Sequence, residues 1–183
     1  MIKNIDPVLV QRFACFQSLD ADQIAAFAAQ VEGVRLQPGQ ILFGQGEPGD
    51  SIYLLVNGQV LIRLCGPVQN DRTIATLGAG AILGEMGPLL NSPRTATVVA
   101  ATESHLWRIS AFAFHEALKQ GDSWATSFLL GTAQVLGRRV MGMNEELVRL
   151  SEKLSENPAP PQFRKAVAEI EQLRKRLATE WTF

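Results

Sequence analysis

The sequence predicts a mainly β domain, a β-roll or barrel with flanking helices, followed by a long C-terminal helix. Glycine and proline are concentrated in the first half of the chain: eleven of the fifteen glycines lie between Gly33 and Gly87, and five of the nine prolines between Pro38 and Pro93. Brief apolar or alternating runs separate these residues, which is typical of short strands joined by tight turns. Beyond residue 110 the pattern changes to helical periodicity.

The predicted strands are seven short runs, at residues 34–36, 41–43, 52–56, 59–64, 73–77, 96–100 and 105–109. The dipeptide Asn57-Gly58 separates the third run from the fourth. Asn-Gly favours a type I′ turn, in which both central residues take a positive φ. We therefore expect these two strands to form a β-hairpin.

Helices are predicted on both sides of the β region. An alanine-rich helix begins at the cap residue Asp20 and ends near Ala29, and Ser110 is the predicted cap of a helix over residues 111–119. A last amphipathic helix, over residues 162–180, follows a proline-rich break. The β-roll is therefore expected to be enclosed by helices that precede and follow it in the chain.

The longest predicted helix begins at Asp122 or Ser123 and runs to about Leu154. Apolar residues repeat along it at alternating spacings of four and three, at Leu129, Ala133, Leu136, Val140, Met143, Leu147, Leu150 and Leu154. This heptad pattern predicts a partner helix, and we expect a homodimer through residues 129–154. The alternative is that these residues pack on the β domain or on the last helix. The predicted organisation has three parts: a β-roll with N-terminal helices at 1–122, a dimerisation helix at 123–154, and a proline-rich linker with an amphipathic helix at 155–183.

Composition and charge exclude several classes of protein. With 46% hydrophobic and 19% charged residues, the chain of 183 residues can bury a core and differs from a disordered tail. Its net charge of −1 provides no overall basic field to hold nucleic acid or a membrane surface. Cys15 and Cys65 lack the spacing of a disulfide framework or a zinc site, and His105 and His115 are too few for a metal centre. No apolar signal segment precedes Pro7, so we expect a cytoplasmic protein.

Residues 84–98, between two predicted strands, contain the candidate ligand-binding residues. A helical turn that begins near Glu85 would present free backbone N–H groups to an anion, and Arg94 could bind the same anion through two guanidinium N–H groups. Such a pocket suits a phosphate. Because a phosphate would repel the Glu85 carboxylate, we expect Glu85 to accept a hydrogen bond from a ligand hydroxyl, such as a ribose 2′-OH. Phosphate and ribose together indicate a nucleotide.

The segments Gly84-Glu85-Met86-Gly87 and Pro93-Arg94-Thr95-Ala96-Thr97-Val98 resemble the phosphate-binding cassette of cyclic nucleotide-binding domains, at the internal spacing of that family. Residues 38–42, 45–50 and 53–58 resemble the early strands and turns of the same family. The resemblance covers about residues 10 to 150. It implies a double-stranded β-helix, that is, a jelly-roll-like β-roll, followed by a long helix. It also implies a domain that binds cAMP or cGMP without transforming it, and therefore no enzyme.

The resemblance also implies roles for individual residues. Arg94 would pair with the cyclic phosphate, Glu85 would accept the ribose 2′-OH, and backbone amides around Gly84, Gly87 and Thr95 would complete the phosphate site. The Thr95 hydroxyl could donate to a phosphate oxygen, as in cAMP-binding members, or contact a guanine amino group, as in cGMP-binding members. Thr95 therefore does not decide whether adenine or guanine is bound.

Two further features of the sequence bear on this resemblance. Pro88 departs from the family pattern, because the family usually has an apolar residue with an N–H at this position. In dimeric members the helix after the roll forms a parallel coiled coil whose residues contact phosphate and base. Arg139 then resembles a second phosphate ligand, while Met143 and Asn144 fall where the base would be bound. Met143 could cover the ring, and Asn144 offers a donor and an acceptor to either purine.

Other functions have less support in the sequence. Only 29 residues follow Leu154, room for one helix, so we expect no DNA-binding domain in this chain. No nucleophile motif of the Gly-x-Ser-x-Gly type occurs, and no bound metal is expected. The sequence favours a sensor for a cyclic nucleotide, cAMP before cGMP, that acts on an unknown downstream protein. The alternatives are a scaffold or dimerisation domain with the same fold, or a regulator that responds to a cyclic dinucleotide.

Overall fold

The computed structural model of the chain describes residues 5–65 and 71–156, together with 168, 169 and 172. The helices are α1 (Pro7–Val10), α2 (Ala21–Ala28), α3 (Met86–Leu90), α4 (Ala111–Gln120) and α5 (Ser123–Glu156), with a 3₁₀ helix at Ala14–Phe16. The strands are β1 (Glu32–Leu36), β2 (Ile41–Phe43), β3 (Ser51–Asn57), β4 (Gln59–Cys65), β5 (Asp71–Gly78), β6 (Ile82–Leu83), β7 (Thr97–Ala100) and β8 (Ser104–Ser110). The chain divides into two units, residues 1–132 and 133–183.

The strands form two four-stranded sheets in which every pair is antiparallel, with the orders β1-β8-β3-β6 and β2-β7-β4-β5. Each of the seven predicted strands is present. The eighth strand, β6, has two residues and is too short for a periodic signal. Two antiparallel sheets with flanking helices and the long α5 confirm the predicted fold class.

Side chains of β3 alternate between two hydrophobic cores. Tyr53 and Leu55 pack between the two sheets, among apolar residues that come from both of them. Ile52 and Leu54 point to the opposite side and pack against the helices, where an aromatic cluster includes Trp124. The sheet that contains β3 is thus buried on both faces, which explains the nearly continuous apolar run of that strand.

The predicted hairpin at Asn57-Gly58 is wrong. Strand β3 pairs with β8 and β6, whereas β4 pairs with β5 and β7, so the two strands belong to different sheets. Among the described residues, Asn91 is the one non-glycine with a positive φ, and Asn57 therefore lacks the type I′ conformation. Gly58 has a φ of +97°, and a Cβ there would lie 2.5 Å from the Glu103 carbonyl oxygen. Glycine is needed because the chain passes from one sheet to the other beside another backbone segment.

The predicted helix caps are present. Asp20 accepts a hydrogen bond from the Gln23 amide at 2.9 Å, and the Gln23 side chain accepts one from the Asp20 amide at 3.1 Å, which forms a capping box at the start of α2. Ser110 caps α4 by accepting from the Ala113 amide at 3.1 Å. These caps fix where the two helices begin beside the sheet.

Helix α5 extends over 34 residues and confirms the predicted long helix. A Cβ on its Gly131 would lie 2.9 Å from the Cα of Cys15, so glycine permits the 3₁₀ helix to pack closely on α5. Burial raises the pKa of the Cys15 thiol to about 12, so this thiol is protonated at neutral pH. Among the described helices, none combines the length and apolar character that a bilayer span requires.

On the heptad seam of α5, the side chains of Leu129, Met143 and Leu150 are 38%, 66% and 41% exposed. The predicted helix over residues 162–180 lies outside the described residues, apart from 168, 169 and 172. The homodimer stays a prediction.

Candidate functional site

The turn before α3 is the segment whose backbone N–H groups the sequence predicts to bind an anion. Gly84 has a φ of +71°, Glu85 occupies the N-cap position, and α3 begins at Met86. The amides of Met86 and Gly87 lie in the first turn of the helix and have no acceptor within it. Asn91, with a φ of 49°, ends α3 in the left-handed conformation. This short helix therefore starts with donors that are suited to an anion.

Arg94 is the buried cation beside this turn, with 4% of its surface exposed. Its Nη1 donates to the carbonyl oxygens of Ser51 at 2.7 Å and Gly84 at 2.8 Å. The guanidinium carbon lies 4.2 Å from the centroid of the Phe43 ring. Nη2 lies 3.5 Å from Asp50 Oδ1, and the buried Nε makes no hydrogen bond to any described residue. One corner of the guanidinium is thus fixed, while the buried edge formed by Nε and Nη2 has no hydrogen bond at Nε and would receive an anion only after the groups that cover it move aside.

Electrostatics at Arg94 favour an added negative charge. Burial lowers the pKa of Arg94 from its ordinary value, an effect that Asp50 and Glu47 oppose. The side chain remains charged at neutral pH, because an arginine pKa starts far above that range. Nη2 of this buried cation has a carboxylate only at 3.5 Å, beyond hydrogen-bond range, so an anion bound at the Nε–Nη2 edge would add a charge-assisted hydrogen bond.

The loop over residues 44–50 holds the Arg94 backbone in place. The Gly46 amide donates to the Arg94 carbonyl at 2.9 Å, and the Arg94 amide donates to the Glu47 carbonyl at 2.8 Å. The same loop touches α3, where a Cβ on Gly87 would lie 2.6 Å from the Cα of Gly49. Two glycines therefore allow the loop and the helix to meet backbone to backbone.

The predicted site residues fall into two groups. Gly84, Glu85, Gly87 and Arg94 lie together in the first unit with the adjoining Thr95; Glu85 is buried and Thr95 is exposed. The other predicted residues, Arg139, Met143 and Asn144, lie on the part of α5 that belongs to the second unit. Arg139 and Met143 are exposed, and Asn144 is half-buried. Their contact with a ligand stays a prediction.

Pro88 is buried in α3 and has a partner that the sequence does not indicate. Its carbonyl oxygen lies 3.1 Å from Nε2 of His115 on α4. Since a carbonyl can only accept, Nε2 carries the proton in this contact. The bond satisfies one of the carbonyls at the end of α3 and joins this helix to α4.

A second arginine near Arg94 was also missed. Arg108 donates from Nε to Ser51 Oγ at 2.8 Å and from Nη1 to Glu32 Oε2 at 3.1 Å, and its Nη2 lies 3.8 Å from Asp50 Oδ2. Arg108 faces Tyr53 across the β3–β8 pair. The sequence contains no signal for this contact, because strands 3 and 8 become neighbours only through the order of the sheet.

The β-roll places the buried Arg94 beside the turn that begins a short helix, an arrangement suited to an anionic ligand. Comparison with known proteins shows to which class of protein the chain belongs. The family model described as cyclic nucleotide-binding domain matches residues 33–121. The solved N-terminal domain of a transcriptional regulator from Streptomyces coelicolor A3(2) is 30% identical, with a TM-score of 0.61, over 72% of this chain and 94% of that one. This chain belongs to the family of cyclic nucleotide-binding domains.

Two curated relatives are regulators. The CRP-like cAMP-activated global transcriptional regulator of Mycobacterium tuberculosis is 26% identical over 142 residues, which are 78% of this chain and 62% of that protein. The cAMP-dependent protein kinase regulatory subunit of Eremothecium gossypii is 32% identical over 120 residues, which are 66% of this chain and 25% of that protein. The chain thus matches from a quarter to less than two thirds of the length of these relatives.

Proposed function

We propose that this chain binds a cyclic nucleotide as a non-catalytic regulatory sensor and prefers cAMP to cGMP. The observation that carries the proposal is the Nε–Nη2 edge of Arg94: Nη1 is fixed by two carbonyls, while the buried Nε makes no hydrogen bond to any described residue. Such an edge can hold two oxygens of one phosphate. Membership of the family supports a cyclic nucleotide as the source of that phosphate.

In this proposal each predicted residue of the first unit has one task. Arg94 binds the cyclic phosphate through Nε and Nη2, and the amides around Gly84, Gly87 and Thr95 donate to its other oxygens. The Glu85 carboxylate accepts the ribose 2′-OH. Its burial supports this task, because a buried carboxylate gains more from a directed donor than an exposed one does.

The preference for cAMP is supported by the names of the two curated relatives, both of which are described by cAMP. The base itself would be bound by Met143 and Asn144, with Arg139 as a second phosphate ligand. Thr95 is exposed and can serve either nucleotide through its hydroxyl, as a phosphate donor or as a contact to a guanine amino group. Because Thr95 and Asn144 can each serve either nucleotide, the preference is supported by the cAMP-dependent relatives alone.

The test is a calorimetric titration of refolded, nucleotide-free protein with cAMP and then with cGMP. Refolding is needed because purified protein can retain ligand in the site. We expect binding at micromolar concentration or tighter, with cAMP bound more tightly. The double variant Glu85→Ala, Arg94→Ala is the control, and we expect it to show no nucleotide response.

Two results would contradict the proposal. Folded wild-type protein that binds neither nucleotide would point to a scaffold or to a cyclic-dinucleotide regulator, and a titration with a cyclic dinucleotide separates those two. Tighter binding of cGMP than of cAMP would overturn only the stated preference.

We also propose that the chain forms a homodimer through residues 129–154, with a β-roll part at 1–122, a dimerisation helix at 123–154 and a linker with a final helix at 155–183. The exposed apolar side chains on the heptad seam of α5, Leu129, Met143 and Leu150, support this proposal. A second copy of the same seam would cover them in a parallel coiled coil. Such a dimer would act on a downstream protein.

Sedimentation velocity of a matched pair of variants tests the dimer. Leu150→Glu places a charge on the seam, whereas Val148→Glu places the same charge on a side chain of similar exposure, 45% against 41%, outside the seam. We expect Leu150→Glu to be monomeric and Val148→Glu to remain dimeric like the wild type. Equal sedimentation of the two variants would contradict an interface on this seam.

A further inference from the structure

A pocket of about 370 Å³ lies in the first unit, against one face of α4. Five of its residues belong to α4, and the others are Gln30, two residues after α2, and Asp122, the residue before α5. Its volume falls in the range of pockets that bind ligands. The pocket is a second candidate site, and it shares no residue with the predicted nucleotide site around Arg94.

The residues from α4 form two rows along one face of the helix. Phe112, Glu116 and Gln120 are spaced by four, and Ala113 and Ala117 form the adjacent row. Both alanines pack against the core on the helix side. Because alanine side chains are short, they form an apolar floor below the longer side chains beside them.

Phe112 is a large apolar side chain that lines this pocket and is left open to solvent. It is 76% exposed and belongs to neither hydrophobic core. Aromatic residues are enriched at protein–protein interfaces relative to the rest of the surface. The face of an aromatic ring also attracts a cation. Phe112 therefore suits a ligand that combines a positive charge with a planar group.

The charged residues that line the pocket are both acidic. They are Glu116 and Asp122, and no lysine, arginine or histidine lines this part of the described chain. Glu116 Oε1 accepts from Lys119 Nζ at 2.7 Å, whereas Asp122 forms no ion pair with a described residue. Even with Lys119 counted, the pocket carries a net negative charge that a cationic group would complement.

The turn between α4 and α5 fixes the position of Asp122. Gly121, with a φ of +76°, ends α4 in the left-handed conformation, and the Asp122 amide donates to the Ala117 carbonyl at 2.9 Å. This bond holds Asp122 at the pocket before a ligand arrives. A site that is already ordered loses less entropy when it binds.

We propose that this pocket binds an arginine side chain of a partner protein, with the guanidinium against the Phe112 ring and its N–H groups donating to Glu116 and Asp122. Arginine suits the pocket better than lysine, because its planar group stacks on an aromatic ring and donates to two acceptors at once. A protein suits it better than a small cation, because the residues that flank the arginine would also cover the exposed ring. Such a surface goes beyond the nucleotide site: it would bind the downstream protein and requires no nucleotide.

Two peptides that differ in one functional group test the charge. Ac-Leu-Arg-Leu-NH₂ carries the guanidinium, and Ac-Leu-citrulline-Leu-NH₂ carries a neutral urea of similar shape. In NMR titrations of the ¹⁵N-labelled full chain, we expect the arginine peptide to shift the amide signals of residues 112–122. It should bind at least about tenfold more tightly than the citrulline peptide. Ac-Arg-NH₂, which lacks the flanking residues, should bind more weakly than the arginine peptide.

Two variants show which groups of the pocket bind the arginine peptide. Phe112→Ala removes the ring, and Asp122→Asn removes one charge but keeps a side chain suited to cap α5. Each should weaken binding about threefold. The matched controls lie outside the pocket: Ile41→Ala, an apolar side chain 61% exposed on β2, and Asp22→Asn, an exposed carboxylate on α2. Both should bind like wild type, and urea unfolding shows whether each variant is folded.

Lys119 provides a test in the opposite direction. Because its ammonium competes for Glu116 Oε1, Lys119→Met should tighten binding of the arginine peptide by about twofold. An unchanged or weaker affinity would contradict Glu116 as an acceptor of the guanidinium.

The titrations distinguish the possible failures. Equal binding of the arginine and citrulline peptides, or shifts confined to signals outside residues 112–122, would overturn the proposed pocket. Equal binding of Ac-Arg-NH₂ and the arginine peptide would overturn the protein partner in favour of a small cation. A chain that binds cAMP but neither peptide refutes only the pocket. One that binds the arginine peptide but no cyclic nucleotide refutes only the proposed sensor function.

Discussion

Replacement of Arg94 by alanine is expected to weaken cyclic nucleotide binding by at least about 2 kcal/mol, or more than about tenfold in affinity. The substitution removes the Nε–Nη2 edge that faces the proposed phosphate and leaves the anion without its charged donor. Because the side chain is buried, no other cation can take its position from solvent. Calorimetric titration of folded protein with cAMP measures the loss.

Two variants show whether the geometry of Arg94 matters or only its charge. Arg94→Lys retains a positive charge but cannot replace the two-point contact, so we expect it to recover little of the affinity. Arg72→Ala removes an exposed arginine from β5 and should bind like wild type. Since Arg94 also donates to the Ser51 and Gly84 carbonyls, unfolding by denaturant must be measured alongside. Wild-type affinity in a folded Arg94→Ala protein would remove this residue from the site.

Replacement of Gly87 by alanine should have the second largest effect. The added Cβ would lie 2.6 Å from the Cα and 2.9 Å from the carbonyl oxygen of Gly49, and both are backbone atoms that cannot turn aside. Loop 44–50 and α3 must therefore separate, which we expect to lower the free energy of unfolding by about 1–3 kcal/mol. The same separation moves the helix amides away from Arg94 and should weaken nucleotide binding.

The control for this substitution is Gly78→Ala, because a Cβ at Gly78 has no atom within 4 Å. We expect Gly78→Ala to unfold close to wild type in urea. Gly49→Ala should resemble Gly87→Ala, since both substitutions open the same contact, and the double variant should cost less than the sum of the two. Wild-type stability of Gly87→Ala would show that loop and helix are less closely apposed.

The strands were predictable because short alternating runs between glycines and prolines carry a local signal. The order of the strands in the two sheets was not predictable from such local signals. Asn57-Gly58 has the composition of a hairpin turn, yet Gly58 serves as a corner between two sheets, because it lies against residues 103 and 104 from a distant part of the chain. A local turn preference cannot report which distant segment will approach that turn.

In the candidate site, too, some residues were predictable from a local motif and others were not. The family motif located Gly84, Glu85 and Arg94, since those residues are close in sequence and their spacing is characteristic. The partners that orient the Arg94 side chain come from β2, β3 and the turn before it, and the Arg108 network comes from β8 and β1. These contacts follow from the pairing of β8 with both β1 and β3, which no short motif encodes.

The separation of the two hydrophobic cores also divides the natural fluorophores of the protein. The one tyrosine of the sequence, Tyr53, packs between the sheets, with its ring centroid 5.7 Å from the guanidinium carbon of Arg94. Trp107 and Trp124 belong to the core on the helix side. Tyrosine absorbance therefore reports on the surroundings of the arginine, and emission from these two indoles reports on the packing of the helices. The third tryptophan, Trp181, lies outside the described residues. Once it is replaced by phenylalanine, spectra of the two residue types can distinguish, without any attached dye, a change confined to the roll from one transmitted to the helices.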